Sequence, residues 1–225
     1  MDQDFANFIV RASHPLVPGA ADAPPSGRCS GTIVEYRGQR IIMTVSHAVK
    51  PDESWAVELA SEGDKGAKLF RIGQMGYMVS VSGGKAEKVD FAFAKIPETV
   101  QAKFQMFSES GEIEFEDDRV VLLSDLSTEP KAGVKYGFAG LTRSCIEVAP
   151  PGFKHPIASS ELTIETGLTF IETVNGLDRY NLGKEHPGHD EYHGCSGAPL
   201  LSIEGDLVGL VVSGCERDSI INALP

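Results

Sequence analysis

Short apolar runs separated by glycine- and lysine-rich turns set the rhythm of this chain from Cys29 onward. Cys29 to Tyr36, a turn at Arg37-Gly38, and Gln39 to Val45 read as two β-rich runs across a tight connection. Ile33, Val34, Ile41, Ile42 and Val45 supply their branched apolar side chains. A hairpin is the expected element. Its second strand runs straight into Thr44-Val45-Ser46-His47-Ala48-Val49 and so places a histidine at a strand end. Further runs follow at Trp55 to Leu59, Leu69 to Ile72, Tyr77 to Val81 and Phe91 to Ile96. Asp90 stands at a strand start, just before Phe91-Ala92-Phe93-Ala94, an alternation that would bury Phe91 and Phe93 on one face.

The second half keeps the style, with runs at Val120 to Leu123, Val134 to Ala139, Cys145 to Val148, Leu162 to Glu165, Leu168 to Val174, Ala198 to Ile203 and Leu207 to Ser213. No amphipathic helix of convincing length interrupts the runs, and no sequence repeat is visible. Many short strands at fairly regular spacing favour an all-β barrel or sandwich over a doubly wound sheet. Residues Ser13 to Arg28 hold four prolines and two glycines and read as an irregular lead-in. Six acids between Glu109 and Asp118 read as a solvated connection and a lobe boundary. The expected organisation is therefore an irregular segment 1–28, a first unit 29–108, an acidic connection 109–119 and a second unit 120–225.

Composition narrows the function classes. The 225 residues are 41% hydrophobic and 23% charged, as in ordinary globular domains, and long enough for a sizeable core. A formal net charge of −12 argues against nucleic acid as a partner, since phosphate binding needs clustered Lys and Arg. Met1 to Val10 carries two aspartates and no basic cluster, unlike a secretory leader, and no run reaches transmembrane length, so no membrane is expected. Cys29, Cys145, Cys195 and Cys215 are scattered without metal-ligand spacing, so free thiols and a reducing cytoplasm are the working expectation.

The candidate chemistry centres on Gly194-Cys195-Ser196-Gly197-Ala198-Pro199. Small neighbours leave the Ser196 hydroxyl uncovered and let backbone N–H groups turn toward one point where an oxyanion could sit. Taken alone, the hexapeptide is equally an acyl-transfer loop or a plain hairpin turn. Residue order discriminates further. All six histidines (His14, His47, His155, His186, His189, His193) precede Ser196. An α/β-hydrolase needs its histidine after the nucleophile and a Gly-x-Ser-x-Gly elbow, and a papain-like site needs a histidine after Cys195; neither is present. The order His, Asp, Ser survives.

The blocks Thr44 to Val49, Val89-Asp90-Phe91-Ala92 and Gly194 to Pro199, with Cys29-Ser30-Gly31-Thr32 ahead of them, resemble the signature blocks of the trypsin-like (chymotrypsin-fold) serine proteases. The resemblance spans Cys29 to Gly214 and lies closer to cytosolic bacterial and viral members than to secreted animal ones. It implies two six-stranded antiparallel β-barrels with the active site between them. It also implies a serine endopeptidase that needs no cofactor or metal and acts on polypeptide substrates. His47 would be the general base, Asp90 would orient it, Ser196 would be the nucleophile, and the amides of Gly194 and Ser196 would form the oxyanion hole. Cys195 stands where the activated digestive enzymes carry an aspartate paired to a newly cut N-terminus, so activation by N-terminal cleavage is not expected. With Ala48 after the histidine, Cys29 loses the disulfide partner usual in the family.

The same resemblance puts the floor of the primary pocket at Asp190, six residues before Ser196, and implies a basic P1 residue; the bland reading of Asp190 is a solvated loop acid. Val212-Ser213-Gly214 matches the strand that pairs with an extended substrate. Val212 stands where glutamate-specific relatives carry a histidine, which disfavours glutamate specificity. The histidines of residues 186–193 lack a zincin or finger spacing, and Pro187-Gly188 breaks any shared helix, so no metal site is expected. The rival from another class is a catalytically inactive, protease-like barrel that binds peptide. A cytosolic protease would restrain itself by narrow specificity or by a regulatory protein partner that orders the loop before Ser196. Glu216 to Pro225 falls short of the terminal helix of many members, so the natural chain is expected to continue.

Overall fold

The computed structural model describes residues 3–18, 28–51, 53–62, 66–108, 112–123, 128–147 and 157–225, without the side chains of 82, 143–147 and 157–160. One α-helix, α1 (Gln3–Ala12), opens the described chain. The strands then run β1 (His14–Pro18), β2 (Cys29–Tyr36), β3 (Gln39–Thr44), β4 (Trp55–Ser61), β5 (Ala67–Gly73), β6 (Gly76–Ser82), β7 (Lys85–Lys95) and β8 (Lys103–Phe107). They continue through β9 (Ile113–Asp118), β10 (Leu122–Leu123), β11 (Lys135–Glu147), β12 (Ile157–Val174), β13 (Leu177–Asn181), β14 (Pro199–Ser202), β15 (Leu207–Cys215) and β16 (Ile220–Leu224). In the first half, β5-β4-β1-β2-β3-β7-β6 form one sheet, with β10 added in parallel beside β2. In the second, β11-β12-β13-β16-β15-β14 close into a barrel, and β8-β9 stand apart as a hairpin. The fold is the expected all-β double barrel. The second unit has six strands as anticipated, whereas the first sheet has eight.

The hairpin at Arg37-Gly38 shows why local sequence sufficed there. Tyr36 pairs with Gln39, and both loop residues have positive φ, 49° and 70°, as in a type I′ turn whose twist matches the flanking strands. The N-terminal segment departs from expectation. Phe5, Ile9 and Val10 give α1 one apolar face, and it packs into a cluster holding Met43 and Val45 from the first sheet and Leu201, Leu207 and Leu210 from the barrel. Each large side chain so buried contributes about 1.5–3 kcal/mol. β1 forms despite two prolines. Pro15 stands where β1 pairs only with β2, and Pro18 where it pairs only with β4, so each proline meets one neighbouring strand rather than two.

The acidic stretch is likewise a strand, not a connection. Residues 113–118 pair with β8, Lys103 meets Asp118 at 2.7 Å, Arg11 meets Asp117 at 3.0 Å, and the rings of Phe104 and Phe115 touch. The expected run at residues 145–148 is the end of β11, with 148 outside the described residues; Glu109, His155 and the side chain of Cys145 also lie outside them. No helix among the described residues is long and apolar enough to cross a membrane.

Arg119 ties the helix to this hairpin. Its Nε donates to the Lys103 carbonyl at 3.1 Å and its Nη1 to the carbonyls of Val10, at 3.0 Å, and Ser13. Burial lowers its pKa to about 10, so it stays charged at neutral pH. Replacing it with Met keeps the apolar stem and orphans three carbonyls. Arg119→Met is expected to cost about 2–3 kcal/mol, read as a drop in the urea midpoint at unchanged slope.

Candidate active site

The β3–β7 register builds the first part of the site. Thr44 pairs with Ala92, so two residues further on Ser46 comes opposite Asp90. Asp90 therefore sits within β7 rather than at its start. Phe91 and Phe93 are half-buried and stack 5.8 Å apart on one face, while Ala92 is the fully buried residue of this run. One carboxylate oxygen of Asp90 accepts the Ser46 hydroxyl at 2.9 Å and the His47 amide at 2.8 Å. The other lies 2.7 Å from His47 Nδ1. A carboxylate only accepts, so Nδ1 carries the proton and Nε2 is left as an acceptor. Ser196 Oγ, 3.1 Å away, donates to it. Burial pulls the Asp90 pKa upward, but the hydrogen bonds from the His47 ring and amide and from the Ser46 hydroxyl act against it, and the carboxyl lies below the ordinary aspartate value.

Ser196 is presented by a loop between a 3-10 turn at Asp190–Tyr192 and β14. Residues 192–195 form a type II turn. His193 has φ −64° and ψ 112°, Gly194 has φ 110°, and the Cys195 amide donates to the Tyr192 carbonyl at 2.9 Å. A Cβ at Gly194 would fall 2.2 Å from the Leu141 carbonyl oxygen; at Gly197, where φ is 85°, it would fall 2.0 Å from Thr44 Oγ1. Glycine is required at both positions by torsion and by space. The Cys195 and Gly197 amides are spent inside the fold, on Tyr192 and Val211. Among the described residues no acceptor meets the amides of Gly194 and Ser196. Cys195 is fully buried in the barrel core, and burial with the nearby Glu165 charge pushes its thiol up to about 12, so it is no thiolate nucleophile.

A cleft of about 620 Å³ opens between the two halves. His47, Gly194, Ser196 and residues 212–214 line it, with Asp90 behind the His47 ring. Asp190 does not. It is exposed on the 3-10 turn, whose buried member is Tyr192, and it is absent from the cleft wall. Counting six residues back from Ser196 assumed a loop path that this turn does not follow. The wall instead carries His186, 7% exposed, its ring edge-on to Tyr192 at 4.8 Å. The Gly188 amide donates to His186 Nδ1 at 3.1 Å, and burial lowers the ring's pKa, so it is neutral with its proton on Nε2. Among the described residues that line the cleft only Glu53 is acidic, and it pairs with Lys50 at 2.9 Å. Among the described residues, no three His, Cys, Asp or Glu side chains converge as a metal cage would.

No protein-family model matches the sequence, and no curated protein sequence matches it. Solved structures do match the fold. The protease domain of MamO from Magnetospirillum magneticum aligns at TM-score 0.46 and 15% identity over 96% of this chain and 91% of that one. The serine endoprotease from Yersinia pestis aligns at TM-score 0.52 and 14% identity over 99% of this chain, which spans 61% of the other's length. Neuropsin, a serine protease expressed in the limbic system of mouse brain, gives 0.52 and 14% over 94% of this chain and 87% of its own. The last two establish the fold, a chymotrypsin-like double barrel.

Two outcomes follow from this geometry. Gly197→Ala is expected to cost about 3 kcal/mol or more, from strain at positive φ plus a clash with backbone, measured by chemical denaturation. Because the native Asp90 pKa lies below the unfolded value, its stabilisation is present above the unfolded pKa, roughly 3.9, and is lost as pH falls through the native value. Asp90→Asn should therefore be less stable than the parent at neutral pH and converge with it in acid, in a pH series of thermal melts.

Proposed function

We propose that the protein is a serine endopeptidase that cleaves peptide bonds through an acyl-enzyme. The observation that carries this reading is His47 held between Asp90 at 2.7 Å and Ser196 at 3.1 Å, at the edge of a cleft large enough for a peptide. Ser196 Oγ forms a bond to the scissile carbonyl carbon while its proton passes to His47 Nε2. Asp90 fixes the tautomer and stabilises the imidazolium. The free amides of Gly194 and Ser196 receive the oxyanion, a donor pair in which each member is worth roughly 10²- to 10³-fold in rate. His47 then gives the proton to the departing amine as the C–N bond breaks. Water, deprotonated by the same ring, releases the acid product.

The substrate strand runs beside Val212-Ser213-Gly214, whose last two residues are exposed. A basic P1 side chain is not part of this proposal, because Asp190 faces solvent and the wall nearest Gly214 is a neutral histidine. A reducing, cytoplasmic setting suits Cys29 and Cys195, which are buried free thiols.

A serine-directed fluorophosphonate tests the reading. Wild type should be labelled at Ser196 and Ser196→Ala should not, and His47→Ala should slow labelling at least 10³-fold. An unlabelled, folded wild type would return the protein to the class of peptide-binding barrels.

A further inference from the structure

Among the described residues no ion pair holds the loop that presents Gly194 and Ser196, and Cys195 lies uncharged in the barrel core. Among the described residues one side chain hydrogen-bonds the backbone of residues 193–197, and it comes from the other half of the molecule. Ser30, at the start of β2 and 2% exposed, donates from Oγ to the Gly194 carbonyl at 2.9 Å. Its amide donates to the Ser196 carbonyl at 3.0 Å, and its own carbonyl accepts the Thr44 hydroxyl at 2.7 Å. Ser30 thus holds the carbonyls of the two residues whose N–H groups are unspent. Gly140 leaves space for this contact: a Cβ there would fall 2.8 Å from Cys195 Sγ and 2.9 Å from Ser30 Oγ.

Resting on the peptidase reading above, we infer that Ser30 is a positioning residue of the oxyanion hole: its hydroxyl latches Gly194 in the left-handed conformation that aims its N–H at the reacting carbonyl. Glycine takes positive and negative φ about equally, so Gly194 has no preference of its own. Type I and type II turns differ by a flip of their central peptide, which here carries the Gly194 N–H. Holding the next carbonyl from outside removes that freedom. The site is then set by the fold itself, through β2, without a charge from a freed chain terminus.

The test compares Ser30→Ala, Ser30→Cys and Thr32→Val with wild type, by steady-state kinetics on a peptide substrate and by the rate of fluorophosphonate labelling. Ser30→Ala should lower kcat about 10- to 100-fold, part of the cost of losing one oxyanion donor, with KM within twofold, since residues 212–214 are untouched. Ser30→Cys, which keeps the volume and weakens the donor, should fall between, and it serves if the alanine variant does not fold. Thr32→Val removes a buried hydroxyl bond on the same strand, to the Ala12 carbonyl at 3.1 Å, without touching the loop carbonyls, and should keep kcat while losing comparable stability. Wild-type kcat in folded Ser30→Ala, or an equal loss in Thr32→Val, would overturn the latch while leaving the peptidase intact. An unlabelled wild type would overturn the peptidase reading and the latch with it.

Discussion

Everything in the site depends on how closely β2 approaches the loop carrying Ser196. A single added methyl group at Gly197 would meet Thr44 Oγ1 at 2.0 Å and the Ser30 carbonyl oxygen at 2.2 Å. At that separation only backbone fits, so backbone and one small hydroxyl do the joining. The approach also fixes the reach between the halves: Thr44 ends the strand that leads into His47, and Gly197 follows Ser196. The 3.1 Å contact between His47 and Ser196 is therefore a consequence of close packing three residues before His47 and one residue after Ser196. Side-chain rotamers refine it, but the close-packed seam sets it.

The carboxylate obeys a different constraint. Asp90 is partly buried beside the apolar run of β7 from Phe91 to Ala94, where a charge is costly unless it is hydrogen-bonded. Three donors meet its two oxygens, from Ser46, the His47 amide and the His47 ring. All three belong to the turn after β3, so the turn and the acid stabilise each other. Orientation of the imidazole is thus a by-product of satisfying a partly buried charge, and the ring itself stays half-exposed toward the cleft.

Much of this was legible in the sequence. The Arg37-Gly38 hairpin, the strand-rich character and the ordered His, Asp and Ser blocks rest on local signals: turn chemistry, branched residues and small neighbours around a serine. What was not legible depends on partners far along the chain. The apolar face of α1 is only ten residues long, and its stripe acquires meaning through Leu201 and Leu210. The prolines of β1 look disruptive until the pairing of β1 is known. The acids of β9 resemble a solvated linker because nearly all of them are exposed, yet their backbone is paired. Asp190 was placed by counting, and a three-residue 3-10 turn defeated the count. Ser30 is a serine like any other until the opposite barrel brings Gly194 to it.

The packing of α1 has a consequence for how the molecule is made. Phe5 and Ile9 share one apolar cluster with Leu207 and Leu210, about two hundred positions later in the sequence. Domains of such high contact order gather their ends late and fold slowly, because chain-closure entropy comes before the contacts that offset it. During synthesis the helix leaves the ribosome long before β14 and β15, so its stripe is only partly covered until they follow. Neither half therefore completes this cluster alone, and the nascent chain carries a partly uncovered amphipathic helix until β14 and β15 are made.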